Sequence, residues 1–146
     1  MNAERWFFDT NILVYLFDSH ASEKQSAAGR LWQRASDEAI PVVSTQVLQE
    51  FFVTVTKLAK QGVPLPEARR VVLDFATIAE VVAVTVPLIE RAMRRVEASG
   101  FSFWDSLIIE TAVAAEARYL WTEDLQHGQA IGALQICNPF ALGNLG

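Results

Sequence analysis

Trp6-Phe7-Phe8-Asp9-Thr10-Asn11 is the stretch from which the rest of the chain can be read. Three consecutive apolar residues without polar alternation suit a short strand covered on both faces. The acid that follows is a favoured N-cap, and a helix is expected from there to Phe17. Asp9 therefore falls where a strand gives way to a helix. In open parallel sheets that carboxyl edge is where ligands bind.

The same alternation recurs along the chain. Ser22-Glu23-Lys24-Gln25 has the form of a capping box, predicting a helix to about Ala39. Val42-Val43 predicts a second buried strand after Pro41. Ser44 or Thr45 can cap the next helix, whose apolar face carries Val47, Leu48, Phe51, Phe52, Val55, Leu58 and Ala59 before Gly62 ends it. Pro66 suits the first position of a helix through Phe75. Val81 to Val84 predicts a third strand, and Thr85 caps a helix from about Pro87 to Gly100. Phe101 to Trp104 leads into a helix from Asp105 to about Ala117. Tyr119 to Trp121 predicts a fourth strand, Leu134 to Cys137 a possible fifth, and Asn138-Pro139 a stop. Strands alternating with helices predict an α/β domain around a parallel sheet covered on both faces. No repeat or composition break divides the 146 residues, so residues 1–146 are read as one domain.

An apolar fraction of 51% indicates a folded globule rather than a disordered tail. A net charge of −5 disfavours a broad basic surface coating nucleic acid, yet leaves room for carboxylates that a cation would neutralise. Cys137 is the sole cysteine, so neither an intramolecular disulfide nor a thiol-rich zinc site can form. Met1-Asn2-Ala3-Glu4-Arg5 lacks the apolar stretch of a signal peptide, and no segment suits a membrane helix. A cytoplasmic protein with no membrane partner is the expectation.

Asp9, Glu50, Asp105 and Asp124 are widely separated in sequence but placed alike, at strand ends or helix beginnings. Carboxylates converging at one sheet edge repel unless a hard cation lies among them, and such a site supports metal-assisted phosphodiester hydrolysis. Each acid also has a plain structural reading. Asp9 can be only a cap, and Asp105 only a first-turn acid facing the helix dipole. Glu50 points mostly away from the apolar stripe of its helix, as a solvated residue would. Glu123 and Asp124 sit together in a loop, and spacing does not say which would serve as a ligand. Asp105 is the most telling, because it aligns with Ile108, Ile109, Ala112 and Val113 on the face expected to be buried, with Glu110 and Thr111 further from that stripe. Thr10 and Asn11 can orient Asp9 or a bound water, and Thr122 adds a hydroxyl beside Asp124. His127 could move a proton or contact phosphate, although a surface histidine is the plainer reading. Arg91, Arg94 and Arg95, like Arg69-Arg70, could steer phosphate or simply be solvated. Tryptophans 6, 32, 104 and 121 are read as core or interface rather than stacking platforms.

Phe8-Asp9-Thr10-Asn11-Ile12-Leu13, Gln49-Glu50-Phe51, Phe103-Trp104-Asp105-Ser106-Leu107-Ile108 and Thr122-Glu123-Asp124-Leu125, in that order, resemble the PIN domain, and within it the VapC-type toxins of bacterial toxin–antitoxin pairs. The resemblance spans nearly the whole chain. It implies a three-layer α/β/α sandwich with a central parallel sheet of four to five strands. It implies an acidic pocket that holds one or two Mg²⁺ or Mn²⁺ ions and cuts RNA. The family's acids map onto Asp9, Glu50, Asp105 and Asp124, which selects Asp124 over Glu123. A cognate antitoxin and a homodimer are the partners it implies. Two other readings compete: a PIN-fold module that regulates by contact alone, and a receiver-type phospho-acceptor, which would need an acidic pair near the first strand and a lysine near the last.

Overall fold

In the computed structural model, residues 3–57 and 62–141 are described. Leu58 and Ala59 of the apolar helix face, and Met1 and Asn2 of the leader reading, lie outside them. The chain alternates as expected. β1 (Arg5–Phe8) is followed by α1 (Thr10–Tyr15) and α2 (Ser22–Glu38), then β2 (Ile40–Ser44), α3 (Thr45–Lys57) and α4 (Leu65–Ile78). β3 (Glu80–Val82), α5 (Val86–Ser99), α6 (Phe103–Ala114), β4 (Tyr119–Trp121), β5 (Ala130–Ile131) and β6 (Leu134–Cys137) complete it.

The sheet has six strands in the order β3-β2-β1-β4-β6-β5. All neighbours are parallel except β5, which pairs antiparallel to β6 at the edge. The expected four to five strands are present, and β5 is the addition. At two residues it is too short to carry a periodic signal. Pro41 lies inside β2 rather than before it. There it pairs with Trp6 of β1, while β3 joins only from Val42 onward, so the missing N–H falls where β2 has one neighbour.

β1 is the pivot of this order. The chain winds from β1 to β2 and β3 on one side, then returns to place β4 on the other. Phe7 pairs with Val42 on one flank and with Leu120 on the other. Such a switch point leaves a crevice at the carboxyl ends of the strands. Phe7, Phe8, Val42, Val43, Leu120 and Ile136 are fully buried in the sheet, as their unbroken apolar runs predict. A chain of edge-to-face ring contacts, Phe17–Phe51–Phe75–Trp32–Phe8, links α2, α3 and α4 to the sheet at centroid distances of 5.0–5.7 Å.

α5 and α6 form the other helical pair, meeting through Leu88, Ala92 and Leu107. α5 stops at Gly100, whose φ of +77° is a left-handed C-cap open to glycine at little cost. α6 begins at Phe103, two residues earlier than expected, because Ser102 caps it by accepting from the Asp105 backbone N–H. Its burial also corrects the sequence reading. Glu110 and Thr111 are buried with Ile108, Ile109 and Ala112, whereas Val113 is exposed. The helix is covered nearly all round, so no single stripe defines it. Burial of Glu110 is made tolerable by Arg95 of α5, whose Nε donates to Glu110 Oε2 at 2.5 Å.

Candidate active site

Two strand ends meet at the crevice. The Asp9 backbone N–H donates to the Trp121 carbonyl at 3.0 Å, tying the end of β1 to the end of β4. Asp9 then turns into α1 with extended backbone (φ −73°, ψ 159°) and caps it. Its Oδ1 accepts from the Thr10 N–H at 2.7 Å, and its Oδ2 from Thr122 Oγ1 at 2.8 Å. Asp9 is only 6% exposed, and no cation is among these donors. Burial pushes its carboxyl up to about 6. The Thr122 and Thr10 hydrogen bonds pull the other way, and the charges of Asp124 and Glu50 add a smaller push upward.

The other acids are held around it. Thr122 Oγ1 accepts from the Asp124 N–H at 3.1 Å while donating to Asp9, so one hydroxyl sets the spacing of two acids. Asn11 Nδ2 donates to Asp124 Oδ2 at 2.8 Å, and Asn11 Oδ1 accepts from the Glu123 N–H at 3.4 Å. Thr10 Oγ1 donates to Glu50 Oε1 at 2.9 Å, reaching from α1 to α3. Glu50 thus turns into the crevice rather than toward solvent. The apolar stripe of α3 faces the sheet, and Glu50's flank faces α1. Asp105 comes from the first turn of α6 and is half-buried. Among the described residues no side chain donates to its carboxylate.

Asp9, Glu50, Asp105 and Asp124 all line one cleft of about 680 Å³, together with Thr10, Asn11, Gln46, Gln49 and Asp18. Thr122 stands directly behind Asp9, fully buried. The two remaining loop candidates lie elsewhere. His127 is outside the cleft lining, and its Nδ1 accepts from the Asn138 N–H at 3.0 Å. Glu123 is outside the lining too: it accepts from Tyr15 OH at 2.6 Å and pairs with Lys24. The arginines considered for phosphate steering are also engaged in part: Arg94 pairs with Glu90 and Arg95 with Glu110.

Gln46 escaped the sequence reading. It lies one turn before Glu50 on the same face of α3, lines the cleft and is 5% exposed. Its Nε2 faces Glu50 Oε1 at 3.5 Å, which orients the amide, and its buried Oε1 has no partner among the described residues. The signal in the sequence was the four-residue spacing from Glu50. An amide there has a bland reading, so it carried no weight without the fold.

Residues 6–130 match the PIN domain family. The chain belongs to that family. Solved structures with the same fold include a toxin–antitoxin complex from Klebsiella pneumoniae (TM-score 0.67, 18% identity, 92% of this chain and 97% of that one covered). They include VapC20 of Mycobacterium tuberculosis, described as a sarcin–ricin loop cleaving toxin (TM-score 0.63, 20% identity, 79% and 86% covered). VapBC2 of Rickettsia felis, bound to a DNA fragment from its promoter, is similar to the same degree (TM-score 0.63, 20% identity, 90% and 96% covered). At such identities the likeness speaks for the fold. Among curated proteins none is significantly similar in sequence. In the PIN fold of this chain, the carboxyl ends of β1 and β4, the second turn of α3 and the first turn of α6 converge on one acidic cleft.

Proposed function

We propose that the protein is a metal-dependent endoribonuclease, the toxin of a toxin–antitoxin pair. The observation that carries the reading is the convergence of Asp9, Glu50, Asp105 and Asp124 on a single cleft at the switch point of a PIN fold. The family and the toxins among its structural neighbours support RNA as substrate and an antitoxin as partner. A homodimer and a cytoplasmic location belong to the same reading. Among the described residues no helix is long and apolar enough to cross a membrane.

The donor set suits a hard divalent cation. All candidate ligands are oxygens, and neither cysteine nor histidine is among the residues lining the cleft. The unpartnered Gln46 Oε1 adds a buried acceptor that a cation's water could satisfy. Among the described residues no three His, Cys, Asp or Glu side chains already form a metal cage. Mg²⁺ commonly relies on one or two carboxylates and keeps several waters, so wider spacing suits it. Asp9, Glu50, Asp105 and Asp124 would hold one or two Mg²⁺ or Mn²⁺ ions directly or through water. When bound, such an ion supplies polarisation of the phosphate and acidification of a water.

The chain's own residues do the positioning. Thr122 and the Thr10 N–H fix both oxygens of Asp9, Asn11 fixes Asp124, and Thr10 Oγ1 fixes Glu50. Water then attacks phosphorus in line: as the new P–O bond forms, the bond to the opposite ribose oxygen breaks, that oxygen leaves as an alcohol with a proton from solvent, and the attacking water gives up its proton to solvent, with no covalent enzyme intermediate. Cys137 is buried in β6, away from the cleft, and no serine lines it among the described residues. Among the described residues no lysine lines it either, whereas a receiver-type phospho-acceptor would place one there.

Cleavage of total cellular RNA tests the proposal, run with Mg²⁺ or Mn²⁺, with EDTA, and with Asp9→Asn. Discrete products that need metal and vanish in the variant are expected. Folded protein that binds metal and RNA but cuts nothing would favour a module acting by contact alone, and a trapped phospho-enzyme would overturn the direct attack of water.

A further inference from the structure

Trp104 is 60% exposed, unlike Trp6 and Trp121, which are buried in the core. It lies in the first turn of α6, one residue before Asp105, and lines the same cleft as the four acids. Phe103 braces it edge-to-face, with ring centroids 5.0 Å apart at 79°. A tryptophan left in water forgoes the burial of a large apolar surface, so its exposure beside a polar cleft calls for a ligand with an apolar face.

The charge of the cleft says which ligand. Its described lining includes Asp9, Asp18, Glu50, Asp105 and Asp124, and no lysine, arginine or histidine. A cation among the acids can offset the charge of the phosphate being cut. It does little for the neighbouring phosphates, which meet an acidic surface. Their nucleotides must gain affinity from something other than charge. Stacking of a base on an aromatic ring does this and tolerates any base, because every base has a π-face. It also requires the base to be out of a duplex, where both faces are already covered. Val53 and Ile108, which line the cleft too, give the base and ribose further apolar surface.

We propose that Trp104 is the stacking platform for one unpaired nucleobase flanking the scissile phosphate, so that the substrate is single-stranded at that nucleotide. This deepens the ribonuclease reading and rests on it.

Binding without cleavage tests it. The full chain carrying Asp9→Asn is titrated into a fluorescein-labelled oligoadenylate, and into copies of it with one abasic nucleotide at each position in turn. Adding Trp104→Ala is expected to weaken binding by at least about fivefold, while Trp104→Phe retains most of it. One abasic position should weaken binding to the protein that keeps Trp104 by a similar factor, and cost nothing further in the Trp104→Ala variant. That loss of additivity is a signature a merely structural role would not give. Equal affinity with and without the Trp104→Ala substitution, or additive losses at every abasic position, overturns the proposal. So does a failure of the folded protein to bind the oligoadenylate. A Trp104→Ala protein that dissociates from a dimer in light scattering, with RNA affinity unchanged, shows the ring to be a protein contact and also overturns it. The two failures are distinguishable: metal-dependent cleavage that survives alongside unaltered affinity sinks only the stacking, whereas no cleavage of total RNA sinks the nuclease and, with it, the placing of the base beside a scissile phosphate, even where stacking is seen.

Discussion

Two buried acids in this molecule face opposite circumstances. Glu110 is 8% exposed and Asp9 is 6% exposed, so burial does not separate them. Glu110 has Arg95 against it, a charge partner that makes it a structural element joining α5 to α6. Asp9 has only neutral donors, Thr122 and the Thr10 N–H, with further acids nearby. A buried carboxylate without a cation is costly unless its charge is used. What marks a site here is therefore the identity of the partner.

The largest expected effect is on catalysis. Asp9→Asn keeps the shape and the Thr10 contact but removes a charge, and RNA cleavage should fall by orders of magnitude. Glu110→Gln should leave cleavage per folded molecule unchanged. If both variants lose cleavage equally with both still folded, the contrast is broken.

Thr122→Val comes next. It removes the hydroxyl that holds Asp9 and receives the Asp124 N–H while keeping the volume. Cleavage should drop by about 10- to 100-fold, the usual cost of losing a group that orients a ligand. Kinetics on a cleaved RNA would check this, and an unchanged rate would mean that Thr122 only packs.

Stability should separate the acids in opposite directions. Glu110→Gln leaves Arg95 with an unpaired charge and should destabilise by about 2–4 kcal/mol in chemical denaturation. Asp9→Asn should stabilise the metal-free protein near neutral pH. The Asp9 carboxyl rises from 3.8 in the open chain to about 6 in the fold, so the folded state binds the proton more tightly. The stability it contributes is full below pH 3.8 and is lost as pH rises through about 6, a swing of ~3 kcal/mol. Melts of the metal-free protein should therefore show the Asp9→Asn advantage at pH 8 and little of it below pH 4. The same advantage at both pH values would mean that the carboxyl is not what the fold strains against.

Glu123→Gln is the smallest. The side chain serves Lys24 and Tyr15, partly in solvent, so stability should change by less than about 1 kcal/mol and cleavage hardly at all. A large catalytic loss would move Glu123 into the site.

Most of the architecture was legible because short apolar runs broken by caps leave few alternatives. Tyr119–Trp121 and Leu134–Cys137 have the bounds their sequences predict. What could not be read had physical causes. Glu110 looked peripheral because a helix covered on nearly every side has no apolar stripe to measure against, and Arg95 lies on another helix. Residue spacing could not choose between Glu123 and Asp124. Only the fold separates them, with Asn11 holding Asp124 and Tyr15 holding Glu123. Glu50 looked solvated because its partner, Thr10, is 40 positions away. Trp104 looked like core or interface, and exposure at the cleft is a property of the assembled fold.

The most direct test of the contrast is calorimetric titration of Mn²⁺ into the wild-type chain, Asp9→Asn and Glu110→Gln at pH 7. Binding by the wild type and Glu110→Gln, with strong loss in Asp9→Asn, is the expected result. Asp9→Asn binding Mn²⁺ as tightly as the wild type would contradict the claim that this buried, cation-free acid exists to hold a metal.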